Sequence, residues 1–397
     1  MDSILKGIKV LDLTNVYSGP YCTMLLKELG AEVIKVERTG SGDVVRRDAP
    51  LTEGSESGTF IILNRGKKSI TLNLQNSKGQ EIIKQLVQRV DVLVENFSPG
   101  TMDKLALGSK ELCALNPRLI YASISAYGQT GPRRDYPGFD PVAQAMGGLT
   151  SVSGQPDGPP TKCAVSIGDF GTGLYTAYAI MGALFHRQST GEGQVIDMSL
   201  QDCIWMLTSI EFSPTYFIAG KIPQRLGNGH PIMTPGNLYP AKDGSVIIST
   251  GVLSMVHRLY TAMGRQDLID TPLGANQNIR IKHREQIDAI VGDWVKNRTT
   301  AEVINELKQA DIPCAVVPAF DQVCNDPQLL SRGMITEVEQ TISGKIKVPG
   351  SVFKLSKTPG QVNYSAPYLG ENNQEIFSEL LGYSQREIDD LSDNNII

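Results

Sequence analysis

The feature that most constrains this chain is an alternation in its first third. Short β-prone apolar runs are separated by turns and amphipathic helical stretches. Ile8-Lys9-Val10-Leu11-Asp12-Leu13 is the first run, followed by a turn through Ser18-Gly19-Pro20 and a helix ending near Gly30. Proline suits the first helical turn and glycine the C-terminal cap. Ala31 to Val36 is the next strand, so the segment is a βαβ unit whose right-handed crossover makes a parallel sheet the default. Ser69 to Leu74, Val92-Leu93-Val94 and Leu119 to Ser123 read as further strands. Ile82, Ile83, Leu86, Val87 and Val90 line one face of an intervening helix. The pattern predicts a doubly wound α/β domain with its ligands at the C-terminal ends of the strands.

The stretch 128–173 breaks the rhythm, since its glycines and prolines argue against regular elements. A loop this long inside a compact domain is uncommon unless it carries function. A helix is predicted from about Gly171 to Arg187, closed by Thr190-Gly191-Glu192-Gly193, and then a strand from Val195 to Leu200. From about 221 to 327 the texture changes to a smaller α/β unit, with a strand at Val246-Ile247-Ile248 and helices near 254–263 and 283–297. Thr299 with Glu302 and Ser384 with Glu387 are capping boxes for later helices. The expected division is therefore a large domain from 1–220 and 328–397, with a small domain of 221–327 inserted.

Composition narrows the function classes. The 397 residues are 41% hydrophobic and 20% charged, with a formal net charge of −5 and no basic block, which argues against nucleic acid. No apolar run reaches the ~18 residues of a membrane span, and the N-terminus lacks a secretory layout. The scattered cysteines (22, 113, 163, 203, 314 and 324) form no Cys-x-x-Cys pair, and the four histidines show no ligand spacing. These features give the expectation of a cytoplasmic, metal-free protein with reduced thiols.

Phosphate loops, zinc-protease motifs and nucleophile elbows are absent from the sequence. The first βα turn, Thr14 to Pro20, lacks the glycine triplet of nicotinamide-binding folds, which speaks against an oxidoreductase. The second strand ends Val36-Glu37-Arg38, placing an acid where a ribose hydroxyl is expected and a cation that either suits a ribose phosphate or is simply a solvated arginine at a strand end. Asp169, in Ser166-Ile167-Gly168-Asp169-Phe170-Gly171-Thr172-Gly173, stands at the start of a helix. An N-cap role would explain an aspartate there. The flanking glycines suggest a second role, a nucleophile that a bulky ligand can approach and that the helix N-terminus keeps ionised.

Together these segments resemble the family III coenzyme A transferases, which include formyl-CoA, carnitine-CoA and benzylsuccinate-CoA transferases. The likeness runs through Gly7 to Leu13, Gly30 to Glu37, Asn64-Arg65-Gly66-Lys67-Lys68-Ser69, Val94-Glu95-Asn96-Phe97, Asn116-Pro117-Arg118, Tyr127 to Pro132 and Gly191-Glu192-Gly193-Gln194. The resemblance implies an interlocked dimer of Rossmann-like large domains built from both termini, each with an inserted small domain. It implies that Asp169 is the nucleophile, forming a mixed anhydride and then an aspartyl-CoA thioester. It places CoA, as co-substrate, against Val16, Tyr17 and Ser18, with Arg38 near the adenosine and Leu72 on the adenine. Asn96 and Phe97 would follow the pantetheine, and Lys104 falls where relatives often carry an arginine for the phosphates.

Two departures bear on substrate. Tyr17 replaces the glutamine of the formyl-CoA enzymes, and no glycine-rich lid is recognisable in the small domain, both against oxalate. The related α-methylacyl-CoA racemases use a Gly-His-Asp motif that here reads Gly138-Phe139-Asp140, and phenylalanine cannot exchange protons. Asp140 itself either orients substrate or caps a helix. Arg46-Arg47 and Arg133-Arg134 could meet the second carboxylate of a dicarboxylic acid such as succinate. The partners implied are an acyl-CoA donor, a carboxylic acid acceptor and a second copy of the chain. A racemase, and a non-catalytic subunit paired with a paralogous active chain in a heteromer, are the alternatives.

Overall fold

The computed structural model describes residues 3–397. The chain divides into two compact units, Met1–Gly148 with Cys163–Leu207 and Pro327–Ile397, and Leu149–Lys162 with Thr208–Asp326.

In chain order the first unit opens with β1 (Lys9–Asp12), α1 (Ser18–Glu28), β2 (Glu32–Glu37), α2 (Gly58–Asn64), β3 (Lys68–Thr71), α3 (Ser77–Val87) and β4 (Val92–Glu95). It continues with α4 (Thr101–Lys104), α5 (Ser109–Leu115), β5 (Ile120–Ser125) and α6 (Asp140–Met146). Past α7 (Leu149–Val152), which belongs to the second unit, come α8 (Ile167–Thr190), β6 (Val195–Ser199) and the start of α9 (Leu200–Phe217). The six strands form one sheet in the order β3-β2-β1-β4-β5-β6, every pair parallel. This is the strand order of doubly wound nucleotide-binding sheets, whose crevice opens where the order reverses between β1 and β4.

One face of the sheet carries Leu11, Ile34, Ile70 and Leu93 against Ile82, Ile83 and Leu86 of α3. The chain's end closes the same core, with Phe377, Ile388, Leu391 and Ile396 buried in it. The last helix begins at the Ser384–Glu387 capping box read from sequence. Gly191, at φ +78°, ends α8 in the left-handed turn that glycine adopts freely. The stretch 128–173 is more regular than its composition suggests, because α6, α7 and the first turns of α8 lie within it. Pro141 sits in the first turn of α6, where a missing N–H costs nothing, so the proline starts that helix instead of breaking it.

The second unit has its own antiparallel sheet of β7 (Gly236–Pro240), β8 (Ser245–Ser249) and β9 (Cys314–Val316). Val246 and Ile248 pack against Leu259, Val291, Val295 and Leu307 of its helices, and the Thr299–Glu302 capping box is formed. No helix among the described residues is long and apolar enough to cross a membrane. All six cysteines are free thiols.

Candidate active site

The site is built from the turn after β1 and the first turn of α8. Asp12, at the end of β1, is fully buried and accepts the Thr14 amide at 2.9 Å, the Thr14 hydroxyl at 2.5 Å and the Thr23 hydroxyl at 2.7 Å. Lys67 donates to its second oxygen at 2.9 Å and reaches Asn64 and the Pro20 carbonyl. Burial pushes the Lys67 ammonium down to about 8 even beside Asp12, while Asp12 is held well below the ordinary carboxylate range by Lys67 and Lys35 against its own burial. Beyond Thr14, Asn96 brackets Asn15, accepting its N–H at 2.9 Å and donating to its carbonyl at 2.7 Å. Val16 has φ +68°, a left-handed backbone that β-branched residues rarely adopt, and donates its amide to Asp43 at 3.2 Å. Tyr17 precedes α1, and Ser18 is buried as its first residue.

A cavity of about 930 Å³ opens at the C-terminal ends of β1 to β4, lined by Leu13, Asn15, Arg38, Leu72 and Phe97 among others. Arg38, Leu72 and Phe97, which the family resemblance assigns to the coenzyme, line this one cavity. Phe97 is held by its own amide, which donates to the Glu95 carboxylate at 2.8 Å. Lys104 is exposed on α4 and is not part of the lining, although Thr101 and Leu105 of that segment are. Val16, Tyr17, Ser18 and Asn96 are not part of that lining, and Tyr17 instead lines a second cavity of about 630 Å³ with Tyr21, Ser166 and Phe170.

Two sequence readings change. Glu37 is not free for a ribose: Arg46 holds it bidentately at 2.7 Å through two nitrogens, and the Ser69 hydroxyl and Asp43 amide fill the remaining positions. Arg46 also lies over the Phe60 ring at 3.7 Å. The Arg46-Arg47 pair is therefore split, and only Arg47 lines the cavity. Sequence could not separate two adjacent arginines whose side chains leave a short helical turn in different directions. Arg134 is paired with Asp135 at 3.1 Å.

Asp169 occupies the third position of α8, two residues inside the helix, with Ser166 before it as cap residue. It is not an N-cap, and its carboxylate makes no hydrogen bond or ion pair among the described residues. Burial first, and the neighbouring Asp140 carboxylate second, push it up to about 7. Both effects act against the helix N-terminus, which was expected to hold the carboxylate ionised. The flanking glycines also serve a different purpose. A side chain at Gly168 would meet the Asp140 carboxylate, at Gly171 the Cys203 sulfur, and at Gly173 the Ser18 carbonyl 2.5 Å away. They admit close-packed protein, and Gly173 in particular lets α8 press on α1.

That close approach couples the two halves of the site. Phe170, next to Asp169, stacks on Tyr17 at 6.0 Å and meets Tyr21 edge-on at 5.1 Å. Asp140, at the start of α6, accepts the Gly168 amide at 2.7 Å and the Gln144 amide at 2.7 Å. It therefore caps a helix, but that helix is α8, 28 residues away. No group of three or more His, Cys, Asp or Glu able to hold a metal exists among the described residues.

The first unit thus holds a carboxylate of raised basicity in α8 and a nucleotide-sized crevice at its strand ends, the parts a group-transferring site needs. The comparisons with known proteins specify it. Residues 5–373 match the CoA-transferase family III. The chain is 37% identical to succinyl-CoA–D-citramalate CoA-transferase of Chloroflexus aurantiacus over 99% of its length and 98% of that protein's. It is 36% identical to the beta subunit of succinyl-CoA–L-malate CoA-transferase of the same organism, with 99% and 98% covered. A CAIB/BAIF family protein from Brucella suis superposes with a TM-score of 0.83 at 34% identity, covering 96% of this chain and 100% of that one. The chain belongs to the family III CoA-transferases. It is a CoA-transferase, moving coenzyme A from an acyl-CoA donor to a carboxylic acid.

Proposed function

We propose that this enzyme takes CoA from succinyl-CoA and passes it to a small dicarboxylic acid, with Asp169 as the covalent carrier. The observation that carries the reading is the half-buried, unpartnered Asp169 carboxylate in the first turn of α8, one residue from the ring that stacks on Tyr17. Its raised pKa makes it more basic than an ordinary carboxylate and hence a better nucleophile when ionised.

Attack of Asp169 on the thioester carbonyl gives a mixed anhydride and CoA thiolate. The thiolate then attacks the aspartyl carbonyl, forming aspartyl-CoA and releasing the donor acid. An acceptor carboxylate attacks this thioester, freeing CoA thiolate again, which takes the acceptor acyl group and regenerates Asp169. Arg38, Leu72 and Phe97 hold the nucleotide and pantetheine in the crevice they line, and Asn96 with Val16, Tyr17 and Ser18 shape the turn beside the reacting thioester. Arg47 takes the place proposed for Lys104 as a second cation of the cavity. The Chloroflexus relatives' names support a succinyl donor and a dicarboxylic acceptor for this chain as well.

A second copy of the chain completes the enzyme. Leu174, Tyr178 and Phe185 form one stripe along α8, with Tyr178 78% and Phe185 76% exposed, an apolar strip that a lone monomer would not leave in water. An interlocked homodimer covers it. The beta-subunit relative gives a specific reason to test a heteromer too. The test is an acceptor panel with succinyl-CoA and acetyl-CoA as donors, run on the purified chain alone. Transfer from succinyl-CoA to dicarboxylic acids is expected; inactivity of the pure chain that a second subunit relieves would replace the homodimer with the heteromer.

A further inference from the structure

A central parallel strand is normally apolar, because both its faces are covered. β2 departs from this with Lys35, paired between β1 and β3 and without solvent exposure. Ile34 and Val36 face the main core, so Lys35 and Glu37 share the other face. An ammonium so far from water persists only where partners replace its hydration. Lys35 Nζ donates to the Thr14 carbonyl at 2.8 Å and to Asp43 Oδ2 at 2.9 Å. The other oxygen of Asp43 accepts the amides of Val16 and Val45, each at 3.2 Å.

One ammonium thereby acts on both sides of Val16: on the carbonyl two residues earlier and on the acceptor of Val16's own N–H. Together with Asp12 on the Thr14 amide and Asn96 on Asn15, the peptide groups leading into Val16 are pinned one after another. A β-branched residue at φ +68° holds that conformation only when its surroundings over-determine it. The residues so fixed are those nearest the chemistry, since Asn15 lines the large cavity and Tyr17 stacks on Phe170.

We propose that Lys35 is a positioning residue for acyl-CoA, holding the Thr14–Ser18 turn in its strained shape through Thr14 and Asp43. It touches no substrate itself and acts only through that turn. The inference rests on the reading above that the turn meets the coenzyme. Asp43, Asp12 and Glu37 outweigh the burial that would otherwise discharge it, so the ammonium stays charged.

The test compares wild type with Lys35→Met, with the charge-free pair Lys35→Met and Asp43→Asn, and with that pair carrying Val16→Gly. The pair is included because Lys35→Met alone strands a buried carboxylate and can fail to fold. Three quantities are read: deuterium uptake across residues 13–21, affinity for adenosine bisphosphate (the nucleotide half of CoA), and kcat/KM with succinyl-CoA. In the pair we expect uptake in the turn to quicken about tenfold with β4 and β5 still protected, and kcat/KM to fall about a hundredfold. Nucleotide affinity should stay within about twofold, since Arg38 and Leu72 are held elsewhere, and Val16→Gly should restore about tenfold by removing the strain. A folded pair with wild-type turnover would overturn the proposal. So would loss of nucleotide affinity in step with kcat/KM, or a glycine variant no better than its parent. If wild type neither binds nor transfers CoA, the functional reading fails, while deuterium uptake still decides whether Lys35 holds the turn.

Discussion

Two clusters of charged side chains lie within the first unit, and they are built on opposite rules. Beneath the turn after β1, Asp12, Lys35, Asp43 and Lys67 are all buried, and every charge has an opposite partner at 2.9 Å. At the start of α8, Asp169 has no cation, and its charged neighbour is another carboxylate, Asp140, which is committed to the Gly168 amide. Pairing makes the first cluster rigid and chemically inert. Leaving a desolvated carboxylate unpaired costs stability and raises its basicity, a combination typical of catalytic groups. Residue type alone does not separate the two, since both centre on an aspartate at the end of a strand or the start of a helix.

The contrast breaks if the two aspartates respond alike to substitution. Asp169→Ala should abolish transfer while the protein folds and binds CoA, and wild-type turnover in this variant would end the covalent scheme. In the parent protein, borohydride or hydroxylamine trapping with acyl-CoA should mark Asp169. Lys67→Met should instead destabilise the fold by about 3–5 kcal/mol, because it strands Asp12 as a buried charge. Urea unfolding measures this; a loss below about 1 kcal/mol would show the cluster to be dispensable.

A smaller effect is expected at the rim of the cavity. Arg38→Ala should weaken CoA binding about tenfold or more, matching roughly 1.5–3 kcal/mol for a charge-assisted hydrogen bond, and weaken dephospho-CoA less. Equal losses for both ligands, measured by calorimetry, would mean that Arg38 does not meet the ribose phosphate.

The pH response sharpens the comparison most finely. Asp169's folded pKa, about 7, lies above the ordinary carboxylate value, so the folded state keeps a proton that the unfolded chain has released. Its contribution to stability is present at low pH, declines as pH rises from about 4 to about 7, and is fully lost above that. Asp169→Asn should therefore melt above wild type at pH 8, with the gap closing towards pH 4. Acylation of wild type should rise through about pH 7 as the nucleophile ionises. A pH-independent gap in melting temperature would show that Asp169 is not desolvated.

Much of this was legible beforehand. Strand and helix periodicity placed all six parallel strands within a few residues, and the glycine closing α8 and both capping boxes stand where local chemistry puts them. Arg38, Leu72 and Phe97, which the family resemblance singles out, line one cavity at the strand ends, where ligands of such sheets collect. The small helices α6 and α7 were missed, since glycine and proline content says little about a helix that begins on its proline. Asp140's role was half visible: capping is an expected use of aspartate, but the helix it caps lies across the fold.

The sequence by itself determined the six strands, their parallel pairing and the family, because these follow from local periodicity and from motifs in order along the chain. Tertiary structure alone decided which charges are neutralised. Arg46 and Arg47 are adjacent and chemically identical, yet one is consumed by Glu37 and the other faces the cavity. Lys35 reads as an ordinary charged residue in a strand until β1 and β3 close around it and leave Thr14 and Asp43 as its partners. Asp169 likewise owes its raised basicity to the cation it lacks. Burial and Coulomb energies depend on distances between residues far apart in the chain, and those distances exist only once the sheet has formed.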